Sequence, residues 1–270
     1  MASGPECVAM MREEWATLSS LCGHLTDQQW RADTDCPGWT VKDQLSHLIG
    51  VERWILGHPA PEHDVPQADH VVNHLGEHNE IEVDYRRRRP PDEVLEEFRA
   101  VTRERARALS QLTESEFNKI TWTPFGESTV TTWLQMRILD TWVHEQDIRR
   151  AIGKRGHLSG PIPQQVFERL ALRMPKVVGK NVGAPDGSVV AFHVDGVAGG
   201  EMTIAVADGR ANRVPEAPEV DVRLVMDLQT FVCLACGRWE PERTVRAGLV
   251  EIEGDRELGS KVVANMNVLF

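Results

Sequence analysis

The sequence holds one tyrosine (Tyr85), only six lysines and 6% aromatic residues, and its charge has no basic excess, with a formal net charge of −11. A surface that tracks nucleic-acid phosphates needs clustered Lys and Arg in excess, so no nucleic-acid partner is expected. Nor is there a run of roughly 20 apolar residues, the length that spans a bilayer. Met1–Pro5 begins no signal peptide, so the expectation is a cytoplasmic protein with no membrane partner. Cysteine is scarce and odd in number: Cys7, Cys22, Cys36, Cys233 and Cys236. In a chain without secretory features this argues against a disulfide framework. Cys233 and Cys236 have redox-motif spacing, but Phe231, Val232, Leu234 and Ala235 around them read as a buried helix. No second Cys-x-x-Cys stands ready for zinc, so core packing is the reading. The one basic run, Arg86–Arg89 ahead of Pro90 and Pro91, reads as a solvated helix end near the negative helix pole.

What is present is an ordinary globular composition, 41% hydrophobic and 26% charged over 270 residues, long enough for two domains. Apolar residues at helical spacing predict helices over 6–22, 41–56, 68–88 and 92–112, and another from Thr129 or Thr131 to Ile152. Thr40 and Asp43 fit a capping-box start for the second of these. Residues 121–128 read as a loop. The pattern is a bundle of four main helices with at least one long connection. A Gly/Pro-rich stretch, 153–163, then changes the composition. Beyond it come one helix (164–174), β-branched runs at 188–194, 201–207, 221–225 and 249–253, and helical segments at 227–237 and 255–268. The expected fold is two-domain: an all-α four-helix bundle over 1–156 and an α+β domain over 157–270.

Two stretches place chemistry where apolar residues belong. His47 lies between Leu45 and Leu48 on the second helix. Asp140 and His144, four apart, share a helix face whose core-spaced neighbours are Trp133, Met136, Ile148 and Ala151. A carboxylate and an imidazole aimed into a bundle are costly unless paired or metal-bound. Two imidazoles and a carboxylate hold a divalent cation and leave positions open to water or substrate. The residues alone leave other readings open. Asp140 and His144 make a simple helix hydrogen bond in one; in another, Arg137 joins Asp140 or Glu145 in a structural network. Asp147 competes as a ligand. His70, His74 and His78 repeat at helical spacing as a solvated stripe or a second metal site, near His58 and His63.

The run Cys36-Pro37-Gly38-Trp39-Thr40-Val41-Lys42-Asp43-Gln44-Leu45-Ser46-His47-Leu48 resembles the turn and second helix of the mycothiol-dependent maleylpyruvate isomerase family, one of the DinB-like metal-binding bundles. Asp140-Thr141-Trp142-Val143-His144-Glu145-Gln146-Asp147-Ile148-Arg149-Arg150-Ala151 resembles its ligand helix. Residues 227–238 and 250–259 resemble the sterol-carrier-like domain that follows the bundle. This resemblance implies a divalent metal, zinc foremost, held by His47, Asp140 and His144. The family more often has Glu where Asp140 stands, so the carboxylate here is one methylene shorter. Mycothiol, a low-molecular-weight thiol, is the implied cofactor, with a small electrophile as substrate. The implied reactions are cis–trans isomerisation, by thiol addition to a double bond, rotation and expulsion, or thiol S-transfer. Arg238, with Arg246 behind it, is the expected anion clamp. A non-catalytic lipid- or small-ligand-binding protein with a structural metal, and a metal-dependent hydrolase, are the rival readings.

Overall fold

Most long helices of the N-terminal half start where a polar side chain closes the first turn. The computed structural model describes the chain apart from residues 67, 216, 218 and 270. Helix α1 (Gly4–Cys22) opens with a Ser3–Glu6 capping box. After the short α2 (Asp27–Trp30), α3 (Val41–Ile55) opens with the Thr40–Asp43 box, Thr40 accepting from the Asp43 backbone. Helix α4 (His74–Arg87) is capped by Asn73, α5 (Pro91–Leu109) starts on proline, and α6 (Glu114–Phe117) is a single turn. Strands β1 (Ile120–Thr123) and β2 (Gly126–Thr129) precede α7 (Val130–Ala151), whose cap is Thr129.

Helices α1, α3, α5 and α7 pack as a four-helix bundle and α4 lies on α3. Gly50 permits that last contact, because a Cβ there would stand 2.6 Å from Cβ of Glu82. Trp54 meets Trp133 with ring centroids 6.4 Å apart, and two turns away His47 meets His144 at 4.6 Å, so α3 and α7 run antiparallel. Cys7, Met11, Leu18, Leu45, Ile49, Phe98, Ile138 and Trp142 are among the side chains filling the interior.

Ala2–Gly156 forms one compact unit and a second begins at His157. The second unit contains α8 (Pro161–Ala171), α9 (Met174–Lys176), a π-helical turn (Val177–Asn181), β3 (Val189–Asp195), β4 (Gly200–Ala207), β5 (Arg210–Val214), β6 (Val222–Asp227), α10 (Leu228–Ala235), α11 (Pro241–Arg246), β7 (Val250–Gly254) and α12 (Arg256–Ala264). Its sheet has the order β5-β4-β3-β6-β7, with β3 and β6 parallel and the other pairs antiparallel. Helix α10 packs on β6, on β3 and on α8, where Phe231 meets Phe167 at 5.5 Å. The unit is α+β. Among the described residues, no helix is long and apolar enough to cross a membrane.

Four local features differ from the sequence reading. The stretch 121–128 is not a loop: Thr121 pairs Ser128 and Trp122 pairs Glu127 in a hairpin, helped by Gly126 at φ +99°. The third helix starts only at His74, so His70 lies outside it and the three histidines share no helical stripe. Strand β5 and helix α11 are additional elements. Finally, Arg86 is no solvated helix end. It is 1% exposed and donates to Glu82 at 2.6 Å and to Glu97 of α5 at 2.6 and 3.0 Å.

Candidate metal centre

Helix α3 carries His47, and α7 carries Asp140 and His144. One ligand-type atom from each of the three lies within 4.8 Å of the others. His47 Nε2 is 3.4 Å from Asp140 Oδ2, and His144 Nε2 is 3.6 Å from Asp140 Oδ1. The two histidines are each 5% exposed, whereas the Asp140 side chain is 33% exposed, so access to the cluster is from the carboxylate side.

The tautomer of His144 is set from behind. Its Nδ1–H donates to Gln44 Oε1, and Gln44 Nε2 donates to Thr34 Oγ1 at 2.6 Å, which fixes the amide's orientation. Asp147 Oδ2 lies 3.5 Å from the same Nδ1. Asp147 therefore backs the imidazole rather than competing as a ligand, and Arg150 pairs with it and with Asp35. With Nδ1 so engaged, the Nε2 lone pair is left facing Asp140.

His47 is different. Neither ring nitrogen makes a well-aligned hydrogen bond among the described residues, although both are buried and Nε2 stands beside the Asp140 carboxylate. An unsatisfied buried group of this kind costs about 1–3 kcal/mol. Burial, more than any charge nearby, pushes its pKa down to about 4, so the ring is neutral and both lone-pair and N–H positions lack use. Burial alone would raise the Asp140 carboxyl. The Arg137 guanidinium overrides it and holds the group well below the usual carboxylate range. A neutral His47 and an ionised Asp140 are in the protonation states that metal ligation requires. An orphaned imidazole aimed at a carboxylate and a second imidazole fits a divalent cation.

Trp39 covers both rings, its centroid 5.1 Å from His47 and 5.9 Å from His144. The indole N–H donates to Glu80 Oε2 at 2.9 Å, and Glu80 is held by Arg87 at 2.6 Å and His70 at 3.0 Å. The turn that delivers Trp39 depends on Gly38 at φ +77°, where a Cβ would lie 2.3 Å from His70 Nδ1. His70 is thus tied to this cover. His63 pairs with Asp84, His58 with Glu104 and His74 with Glu77.

Gln44, Trp39, Glu80 and the Glu52–Arg137 pair were not singled out from the sequence as site residues. Gln44 did leave a signal, a polar residue one turn before His47 at a core position of α3. Arg238 and Arg246 belong to the second unit. Arg238 Nη1 donates to the Cys236 carbonyl at 3.2 Å, and Arg246 Nε to the Glu242 carbonyl at 3.3 Å. Arg246 borders a groove of about 280 Å³ with Pro241, Val245, Val263 and Ala264.

A helical bundle with a buried His–Asp–His cluster, joined to an α+β unit, defines a two-domain class of proteins. The sequence model of the mycothiol maleylpyruvate isomerase N-terminal domain matches residues 11–149, and that of the SCP-2 sterol transfer family matches residues 167–267. The chain belongs to the mycothiol maleylpyruvate isomerase N-terminal domain family and carries an SCP-2-like domain after the bundle. A crystal structure of the mycothiol-dependent maleylpyruvate isomerase is similar in fold, with a TM-score of 0.57 at 18% identity, over 94% of this chain and 96% of that one. A mutant of that enzyme gives 0.56 at 19% over the same shares. Two uncharacterized proteins of Mycobacterium tuberculosis, from strains H37Rv and CDC 1551, are each 28% identical over 157 residues. That match spans 57% of this chain and 59% of theirs.

Proposed function

We propose that this protein is a metal- and mycothiol-dependent enzyme acting on a small electrophile, an isomerase of the maleylpyruvate type or a thiol S-transferase. His47, Asp140 and His144 would hold the metal, zinc foremost, which when bound supplies a positive centre that favours the thiolate form of a thiol. The observation that carries this reading is the convergence of three ligand-type atoms within 4.8 Å around a buried imidazole that makes no well-aligned hydrogen bond among the described residues.

The chain's own residues do the rest. Gln44 keeps the His144 Nε2 lone pair facing inward. Trp39 and its Glu80 anchor shield the imidazoles from water, while the exposed edge of Asp140 leaves an approach for ligands. Arg238, with Arg246 next to be considered, is the proposed anion clamp, since a guanidinium suits a substrate carboxylate.

The test is metal analysis of the purified chain beside His47→Ala and His144→Ala, followed by turnover of maleylpyruvate and model electrophiles with mycothiol and other thiols. The reading expects stoichiometric metal in the native chain, its loss in both variants, and turnover that depends on mycothiol. Full metal in both variants would end the proposed site. Metal without any thiol-dependent turnover would leave the hydrolase or ligand-binding alternatives.

A further inference from the structure

Asp140 is not held by its metal-site neighbours alone. Arg137, one turn earlier on α7, donates from Nη1 to Asp140 Oδ2. The same guanidinium donates from Nε and Nη2 to Glu52 Oε1 on α3, at 3.0 and 2.9 Å. Glu52 Oε2 in turn accepts from Arg105 Nε of α5 at 3.2 Å. Glu52 and Arg137 are 1% and 3% exposed. Charges therefore alternate across three helices, from Asp140 through Arg137 and Glu52 to Arg105.

Such a buried pairing is weak evidence for stability, since apolar residues of similar volume serve as well or better. It does have a positional effect. Asp140 is partly exposed, on a side chain that only χ1 and χ2 orient, yet one carboxylate oxygen accepts from a buried guanidinium that is itself held by two hydrogen bonds to Glu52. A planar fork fixed at Glu52 is preorganised to do this in a way that a flexible ammonium is not. Resting on the metal reading above, we infer that Arg137 is a positioning residue. It uses Glu52 as its anchor to hold the Asp140 carboxylate over His47 and His144, and so sets the affinity of the site for its cation.

The experiment is zinc affinity by competition with a chromophoric chelator on the full chain. The proteins are the native form, Arg137→Gln, Asp140→Asn, the double variant and Arg137→Lys, each with a zinc-free thermal melt as the fold control. Arg137→Gln is expected to weaken zinc roughly ten- to hundredfold, the usual effect of losing a partner behind a ligand. Arg137→Lys is expected to fall between it and the native chain. The double variant is expected to bind no more weakly than Asp140→Asn alone, because Arg137 acts only through that carboxylate. Native affinity in Arg137→Gln, or losses that multiply in the double variant, would overturn the inference while leaving the metal reading intact. A native chain that takes up no zinc overturns both. Should Arg137→Gln fail its melt, Arg137→Lys decides alone: weakened zinc supports the role and native affinity refutes it.

Discussion

Gln44 Oε1 accepts the Nδ1–H of His144 from the neighbouring helix, and the Gln44 amide is itself locked by its donation to Thr34 Oγ1 at 2.6 Å. Replacing Gln44 with Leu removes the acceptor and frees the ring to adopt either tautomer. Zinc affinity is expected to drop roughly ten- to hundredfold. Gln44→Glu, which keeps an acceptor, is expected to stay within about the lower end of that range. Chelator competition measures both.

On the proposed metal reading, cation removal has a signed thermal consequence. A ligand that binds only the folded form at about 100 times its dissociation constant stabilises by about 2.7 kcal/mol. Zinc is therefore expected to raise the bundle's Tm by several degrees, and a chelator to reverse the shift. His47→Leu is expected to abolish the shift. Without zinc, the same variant is expected to melt close to the native temperature, because the loss of the 3.4 Å His47–Asp140 contact is offset by removal of two buried ring nitrogens that make no well-aligned hydrogen bond among the described residues. Calorimetry with and without zinc reads all of these.

Glu14 of α1, beside Glu145 of α7, supplies a pH dependence. Burial first, and then the neighbouring Glu145 and Glu13, hold its carboxyl well above the ordinary value of 4.5, with Arg149 opposing. Below that value both folded and unfolded chains are protonated, and the contribution to stability is full. As the pH rises, the unfolded chain ionises Glu14 first, so stability is lost until the folded group ionises too. Glu14→Gln carries no such proton. Its advantage in Tm over the native chain is expected to be smallest below the ordinary carboxylate value of 4.5 and to grow as the pH rises above it, until the folded group ionises, and a melt series shows whether it does.

The Arg86 cluster predicts a loss of stability with no direct effect on the site. Arg86→Leu leaves Glu82, whose side chain is only 4% exposed, without its guanidinium, and deprives Glu97 of one of two. Breaking a buried pair by removing one partner costs about 3–5 kcal/mol. Urea unfolding monitored on the bundle tryptophans is expected to show a lower midpoint and a loss of unfolding free energy of that size.

The clustering of His47, Asp140 and His144 was legible because each interrupts an apolar helix face at core spacing, and helical periodicity alone brings Asp140 and His144 to one point. The Thr40–Asp43 box was legible as well, since capping is local. The supporting shell was not. Gln44, Glu80, Glu52 and Arg105 meet their partners across helices separated by dozens of residues, and no local pattern specifies which helix will face which. Arg86 was misread for the same reason: a run of four arginines looks solvated until α5 lays Glu97 over it. The hairpin at 120–129 is too short for alternation to stand out against a polar loop.

The cluster's ligands are strung between the second long helix and the last one of the bundle, about 100 positions apart. Closing so long a stretch of chain is an entropic task that only a completed bundle has accomplished. A growing polypeptide that has not yet released α7 therefore possesses no half-formed version of the site, and a fluctuation that peels α7 away erases it at once. On the proposed metal reading, cation occupancy becomes a reporter of α7 docking: protein that fails to load zinc after synthesis or stress is expected to have an undocked α7 rather than a damaged ligand.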